Sequence, residues 1–423
     1  MTKVEQNEKN MNPEDFVEKI FASAIQEGAS DIHFEPLSEK MRIRFRINGI
    51  LENKKMLDKS LIEPIINKIK VLSGMDITNR EAAQDGHFEL YEIDNSENKG
   101  KESSEGSEQV KAHKKKSNDE KKDFWEKRVL DVRVSVYPTL KGEVIVARIL
   151  NRLDALMNLT ELGMDKSDLS SISKFISKDY GMLLITGPAG SGKTTTLYSF
   201  LQELKDESKN IMTIEDPVEF HLEWLRQSEL KPARGFTFTN AIRSILRQDP
   251  DVIMVGEIRD EEAASHAISA SLVGRIVGST VHSNSTMGTI ARLIDMNIDR
   301  SMIAYAINGI ISQRLARTNC PNCKELHQPD PDILEYFGLR KDQYEFYKGK
   351  GCQNCKETGF VGRVGLFEVV AFDSKIRSLI VSGAPMEELE NYVFGNGNKD
   401  LKQDAINKAV AGLISIEEAA RMV

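Results

Sequence analysis

The stretch MLLITGPAGSGKTTTLYSFLQEL, residues 182–204, decides the fold class. It opens on a short apolar run, crosses a loop with glycines at 187, 190 and 192, and ends in a helix-forming segment. Within it, GPAGSGKT at 187–194 satisfies G-x-x-x-x-G-K-[ST] in the strand–loop–helix setting that gives the pattern its meaning. The glycines let the loop turn so that successive backbone N–H groups point inward, and the helix N-terminus adds its positive dipole end. A phosphate chain therefore fits against Gly187, Pro188, Ala189, Gly190, Ser191, Gly192, Lys193, Thr194 and Thr195. Lys193 is expected to reach the β- and γ-phosphates and Thr194 to ligate Mg²⁺, which implies ATP with Mg²⁺.

Working outward, four short apolar runs (MLLITG, NIMTIED, DVIMVGEI and RIVGSTVH) alternate with helical segments. Continuous apolar strands of this kind belong to a parallel sheet covered on both faces, so the region 155–318 is expected to be an α/β core. Hydrolysis needs a carboxylate near the metal and a group that orients the attacking water. Two candidates stand at strand ends, where ligand loops of α/β sheets gather: Glu215-Asp216 in IMTIEDPVEF and Glu257 in DVIMVGEIRD.

Residues 1–150 read as an α+β domain. Asn12 is placed to cap a helix, Pro13 suits its first position, and Phe16, Val17, Ile20, Phe21 and Ala24 recur at helical spacing up to a stop at Gly28. In MRIRFRINGIL, Met41, Ile43, Phe45 and Ile47 face one way and Arg42, Arg44 and Arg46 the other, with Asn48-Gly49 as a type I′ hairpin signal. The arginine stripe suits an exposed face or a subunit contact equally. A helix is expected over 58–73, then strands in HFELYEI, VLDVRVSVYP and GEVIVARIL. From about 93 to 126 the chain is polar, charged and poor in aliphatics, and is expected to be an unstructured insertion at a hairpin tip.

All four cysteines fall in the last quarter, as Cys320, Cys323, Cys352 and Cys355. Paired C-x-x-C knuckles read as a closed four-thiolate shell for a structural zinc ion, leaving no open position for catalysis. This gives a zinc segment over 319–366 and a helical tail over 367–423. The chain of 423 residues carries a net charge of -8, which offers no global electrostatic reason to bind nucleic acid. Its polar N-terminus lacks the apolar core of a signal peptide, and no run approaches the roughly 18 apolar residues of a membrane span. A cytoplasmic protein that reaches the membrane through a partner is the expectation.

The order GPAGSGKTTTLY, IMTIEDPVEF, ILRQDPDVIMVGEIRD and GRIVGSTVHSN resembles the Walker A, Asp box, Walker B and His box of the type II secretion and type IV pilus assembly ATPases. GASDIHFEP, RIRFRINGIL, CPNCK, GCQNC and TGFVGRVGLFEVV extend the resemblance over nearly the whole chain except the charged run. The resemblance implies a P-loop, RecA-like ATPase core with an N-terminal α+β domain and a small zinc-binding C-terminal segment. It implies that Glu215 orients water, that Glu257 is the Walker B carboxylate and that His282 senses the γ-phosphate. It also implies a homo-hexamer that drives pilin or pseudopilin polymerisation through an inner-membrane platform protein, with Arg133 and Arg148 completing the nucleotide site. Arg275 stands where the family's first His-box histidine is usual, and Ala189 where threonine is. The chain starts close to the family's second N-terminal domain, which favours a compact pilus or competence system among the possible machines. The rival readings are a nucleic-acid translocase and a non-hydrolysing scaffold.

Overall fold

Alternation in the first part of the chain becomes an antiparallel sheet with one dry face. The computed structural model describes residues 12–47, 49–92, 110–112, 129–151, 157–341 and 343–423, and the chain divides into two compact units, Met1–Arg152 and Leu153–Val423. The first unit runs α1 (Pro13–Gln26), β1 (Ala29–Pro36), β2 (Lys40–Ile47), β3 (Ile50–Asp58), α2 (Ile62–Leu72), β4 (Gln84–Glu92), β5 (Val110–Ala112), β6 (Val129–Thr139) and β7 (Gly142–Asn151). Its strands lie in the order β3-β2-β1-β7-β6-β4-β5.

Helix α1 begins as its sequence demands. The Asn12 carbonyl accepts from the Phe16 N–H, Pro13 stands first, and Gly28 follows the last turn at φ 69°. Phe16, Val17, Ile20, Phe21 and Ala24 are all buried, against Met41, Ile43 and Phe45 of β2. The β2–β3 hairpin closes with Ile47 opposite Ile50, and Gly49 at φ 83° supplies left-handed backbone to the turn. The helix expected over 58–73 starts later, because β3 continues to Asp58 before α2 begins. The charged run lies outside the described residues apart from Val110–Ala112, which pair with the edge of β4. One feature has no periodic signature: Lys70 of α2 is fully buried and donates to Glu143 of β7 and to the Asn79 carbonyl, each at 2.8 Å.

The second unit holds α3 (Lys166–Ile176), β8 (Gly181–Thr186), α4 (Lys193–Glu203), β9 (Ile211–Glu215), β10 (Arg226–Glu229), α5 (Phe238–Ile245), β11 (Val252–Ile258), α6 (Glu261–Leu272) and β12 (Ile276–Val281). Then follow α7 (Thr286–Asp295), α8 (Arg300–Ala306), β13 (Ile307–Asn319), β14 (Lys324–His327), α9 (Pro331–Phe337), β15 (Phe346–Gly349), β16 (Phe360–Ala371), α10 (Ser374–Ser382), α11 (Met386–Gly395), α12 (Leu401–Val410) and α13 (Ile416–Met422). The main sheet has the order β10-β9-β11-β12-β8-β13-β16, parallel from β10 to β13, with β16 antiparallel at one edge. All four apolar runs are strands of it, and separate apolar clusters cover its two faces.

The divisions expected near 318 and 366 fall inside β13 and β16, two neighbouring strands of this sheet. The cysteine segment is therefore a long excursion between core strands. The tail returns to the same strands. Lys399 places its ammonium 2.6 Å from both Asp165 and Asp168 and 2.9 Å from Asp404, and Lys408 bonds Asp404 and the Gly365 carbonyl. Glu418 of α13 accepts from Arg317 of β13 and from Arg421. Burial pushes the Glu418 carboxyl up, but these two guanidinium groups outweigh it and hold its pKa near about 2. A depressed carboxylate pKa stabilises the fold above its unfolded value of 4.5, and that contribution is lost as pH falls toward 2. Glu418→Gln is expected to lower the melting temperature at about pH 6, with the difference from wild type shrinking below pH 4.5 and closing only as pH approaches about 2, read by thermal denaturation across pH.

Candidate nucleotide site

The site is built where three neighbouring parallel strands, β11, β12 and β8, end. The P-loop follows β8, Glu257 closes β11 and His282 follows β12. Gly187 and Gly192 cannot be replaced without conflict. A Cβ on Gly187, at φ 152°, would stand 2.5 Å from the Gln313 carbonyl oxygen and from Ser191 Oγ. One on Gly192, at φ 86°, would stand 2.9 Å from Gln313 Nε2. The loop is thus pressed against β13, while Pro188, Ala189 and Gly190 form an exposed crest.

Lys193, at the first position of α4, is 9% exposed and donates to the Gly187 and Pro188 carbonyls at 2.9 and 3.0 Å. Burial pulls its pKa down, with Glu257 opposing and Arg314 adding to the fall. Thr194 and Thr195 lie half-buried in the same turn. Ser191 Oγ is buried with no hydrogen-bond partner among the described residues. A tight glycine cradle, an orphaned hydroxyl and a buried ammonium fit the phosphates of a nucleotide, and Thr194 stands where a Mg²⁺ ligand belongs.

Glu257 is the hub of the strand ends. Its Oε2 lies 3.1 Å from His282 Nε2, and its Oε1 accepts from Arg259 Nε at 2.5 Å. Arg259 also reaches Asp216 at 3.4 Å. Hydroxyls cross-link the strands beneath: Thr186 Oγ1 donates to the Val281 and Ser283 carbonyls, and Thr280 Oγ1 to that of Gly256. Lys193, Glu257 and His282 are thereby brought together.

Glu215 is buried at the end of β9. It is 2% exposed, and its oxygens accept from Tyr198 Oη (2.5 Å), Thr213 Oγ1 (2.6 Å) and Gln227 Nε2 (3.2 Å). Burial raises its pKa against those three donors. Since Tyr198 belongs to α4, Glu215 ties the P-loop helix to β9. Its carboxylate oxygens are thus occupied by protein donors. The same loop carries Glu219, which is only half-buried. Reading the motif alone could not separate the two acids, because the donors come from Tyr198 and Gln227 elsewhere in the chain.

Arg275 is held by the Val273 carbonyl at the start of β12, a strand's length of about 20 Å from His282. Its departure from the usual histidine leaves the strand-end groups untouched. In the first unit, Arg133 and Arg148 stand opposite each other on β6 and β7, and Arg148 bonds Asp31 at 2.9 Å. Arg42 and Arg44 share Glu35, and Arg46 lies 3.6 Å from Asp31, so the stripe is paired within its own sheet while keeping an excess of positive charge.

Around the cysteines the spacing is that of a metal shell. Sγ–Sγ separations are 3.8 Å for Cys320–Cys352, 3.8 Å for Cys323–Cys355 and 3.7 Å for Cys352–Cys355. A tetrahedron with Zn–S bonds of about 2.3 Å has edges of about 3.8 Å. Backbone N–H groups of Cys352 and Gly359 donate to Cys355 Sγ. Burial pushes that thiol up, yet these donors bring it to about 6.

A P-loop at the end of a parallel strand, with a strand-end carboxylate beside it, defines a nucleotide-hydrolysing α/β protein. The chain belongs to the type II/IV secretion system protein family, whose pattern matches residues 6–98 and 111–421 and breaks within the charged run. It is 36% identical over 407 residues to the type II secretion system protein E of Pseudomonas aeruginosa, covering 96% of this chain and 74% of that protein. It is 35% identical to the type II secretion system ATPase E of Vibrio cholerae, covering 99% and 78%. The type IV pilus assembly ATPase PilB of Thermus thermophilus is 35% identical, with 95% of this chain matched to 42% of that protein. Among solved structures, the Legionella pneumophila ATPase DotB superposes with a TM-score of 0.68 at 21% identity, over 97% of this chain and 96% of that one. That likeness supports the fold.

Gly187→Ala is expected to weaken nucleotide binding at least about tenfold, since the methyl must displace the Gln313 carbonyl or Ser191 from a packed loop. Titration with a fluorescent ADP analogue measures it.

Proposed function

We propose that this chain is the ATP-hydrolysing motor of a type II secretion or type IV pilus machine. The observation that carries the reading is the meeting of Lys193, Glu257 and His282 at the ends of three adjacent strands. With nucleotide bound, Lys193 would withdraw charge from the β- and γ-phosphates, and Thr194 and Glu257 would hold the Mg²⁺. His282, oriented by Glu257, reports the γ-phosphate. With Glu215 locked against Tyr198, Glu219 is the carboxylate of that loop assigned to the attacking water.

The motor is read as a homo-hexamer on the cytoplasmic side of the membrane, passing its motion to an inner-membrane platform protein. Among the described residues no helix is long and apolar enough to cross a membrane, so attachment through partners suits the chain. The domain scheme proposed is an α+β domain over 1–150, an ATPase core from 155, the four-cysteine segment of 319–366 carried between core strands, and a helical tail from 367. The acidic balance of -8 favours this reading over nucleic-acid translocation.

In the organism's own secretion or pilus system, Glu257→Gln at normal protein level is expected to abolish filaments or secretion; full function in that strain would contradict the motor. Glu219→Gln is expected to lower turnover about 100-fold with nucleotide affinity kept. Glu215→Ala instead costs about 1–3 kcal/mol of stability by stranding its donors, and steady-state rates beside melting curves separate the two. The cysteines are proposed to hold structural zinc. Elemental analysis should find about one zinc per chain, lost in Cys355→Ser together with a lower melting temperature.

A further inference from the structure

Strand β13 carries a charged residue in an unusual place. From Ile307 to Gln313 every residue is buried, and the next, Arg314, is half-buried. A guanidinium withdrawn from water must recover its hydration through hydrogen bonds. Arg314 does so on main-chain carbonyls: Nη1 donates to Gln313 at 3.0 Å and Nη2 to Asn284 at 2.8 Å. Asn284 lies two residues beyond His282, on the loop that joins β12 to α7. The same carbonyl receives a longer contact from Ser312 Oγ at 3.4 Å.

Two further facts give this contact a direction. Neighbouring residues of a strand point to opposite faces, and β13 uses both. Gln313 accepts from Thr196 Oγ1 of the P-loop helix at 2.6 Å, while Arg314 holds the histidine loop. On the partner strand, Glu368, opposite Ser312, accepts from the Thr286 N–H at 2.9 Å and from its hydroxyl at 2.5 Å, fixing the far end of the same loop. The loop from His282 to Thr286 is thus held at its middle from β13 and at its far end from β16. Burial depresses the Arg314 pKa, with Glu368 opposing, and its charge reaches Lys193.

We propose that Arg314 is a positioning residue for hydrolysis: its fork on the Asn284 and Gln313 carbonyls sets the histidine loop against the P-loop, so that His282 meets Glu257 and the γ-phosphate together. The inference rests on the reading of His282 as the γ-phosphate sensor. Lysine keeps the charge but presents a compact ammonium in place of the planar fork, so the geometry rather than the charge is what this role needs.

The experiment compares the full chain with Arg314→Lys, Arg314→Ala, His282→Ala and the double variant Arg314→Ala/His282→Ala. It reads kcat, KM for MgATP, the affinity ratio of a non-hydrolysable ATP analogue to ADP, and the melting temperature. Both Arg314 variants should lose about 10–100-fold in kcat with ADP affinity within about twofold of wild type. The analogue-to-ADP ratio should fall to the His282→Ala value, and the double variant should be no slower than His282→Ala, because coupled residues are non-additive. Guanidinium ion at tens of millimolar should restore part of the Arg314→Ala rate. If Arg314→Ala fails to fold, Arg314→Lys carries the same comparison. Wild-type kcat in Arg314→Lys, equal losses of ADP and analogue affinity, or losses that multiply in the double variant would each overturn the proposal. Wild-type behaviour of His282→Ala would instead defeat the sensor reading beneath it.

Discussion

The hydrogen-bonded seating of β13 between β8 and β16 is the constraint to which the second unit is built. Its first half pairs with β8 from Ile307 to Ser312, and β16 pairs with it from Gly309 to Asn319. Where β8 ends, the P-loop takes its place, so close that a single methyl on Gly187 would strike the Gln313 carbonyl. Further along, Arg317 holds the last helix through Glu418, and Cys320 begins the four-cysteine knuckle immediately after the strand. Phosphate loop, histidine loop, knuckle and tail are all referenced to one rigid element. A site that must distinguish ATP from ADP by one phosphate needs its groups held within fractions of an ångström, and strands hold them better than loops do.

Buried charge is used in both units to fix packing that apolar contact alone leaves ambiguous. Lys70 and Glu143 lock α2 to β7 in the first. Lys399, between three aspartates, locks the tail to α3 in the second, occupying with an ammonium the space where three carboxylates converge. Buried pairs of this type contribute little net stability but make alternative packings costly, because any other arrangement strands a charge.

What sequence could reveal follows from the range of each interaction. The P-loop, the four buried parallel strands, α1, the β2–β3 hairpin and the paired cysteines were legible, because each is carried by neighbours within a few residues. Strand β13 was not. ISQRLAR shows no clean period, and its polar residues find their partners far off, Gln313 at Thr196 and Arg314 at Asn284, 117 and 30 residues away. The same blindness hid the surroundings of Glu215, whose donor Tyr198 lies on another element. It also set boundaries at 318 and 366, inside two strands whose pairing spans the cysteine excursion.

The account stands on hydrolysis of ATP at the P-loop. Phosphate release by the purified chain, with Mg²⁺ and with EDTA, beside Lys193→Ala, measures it most directly. Turnover that requires Mg²⁺ and disappears in Lys193→Ala is the predicted result. Turnover that survives loss of the Lys193 ammonium would contradict the account.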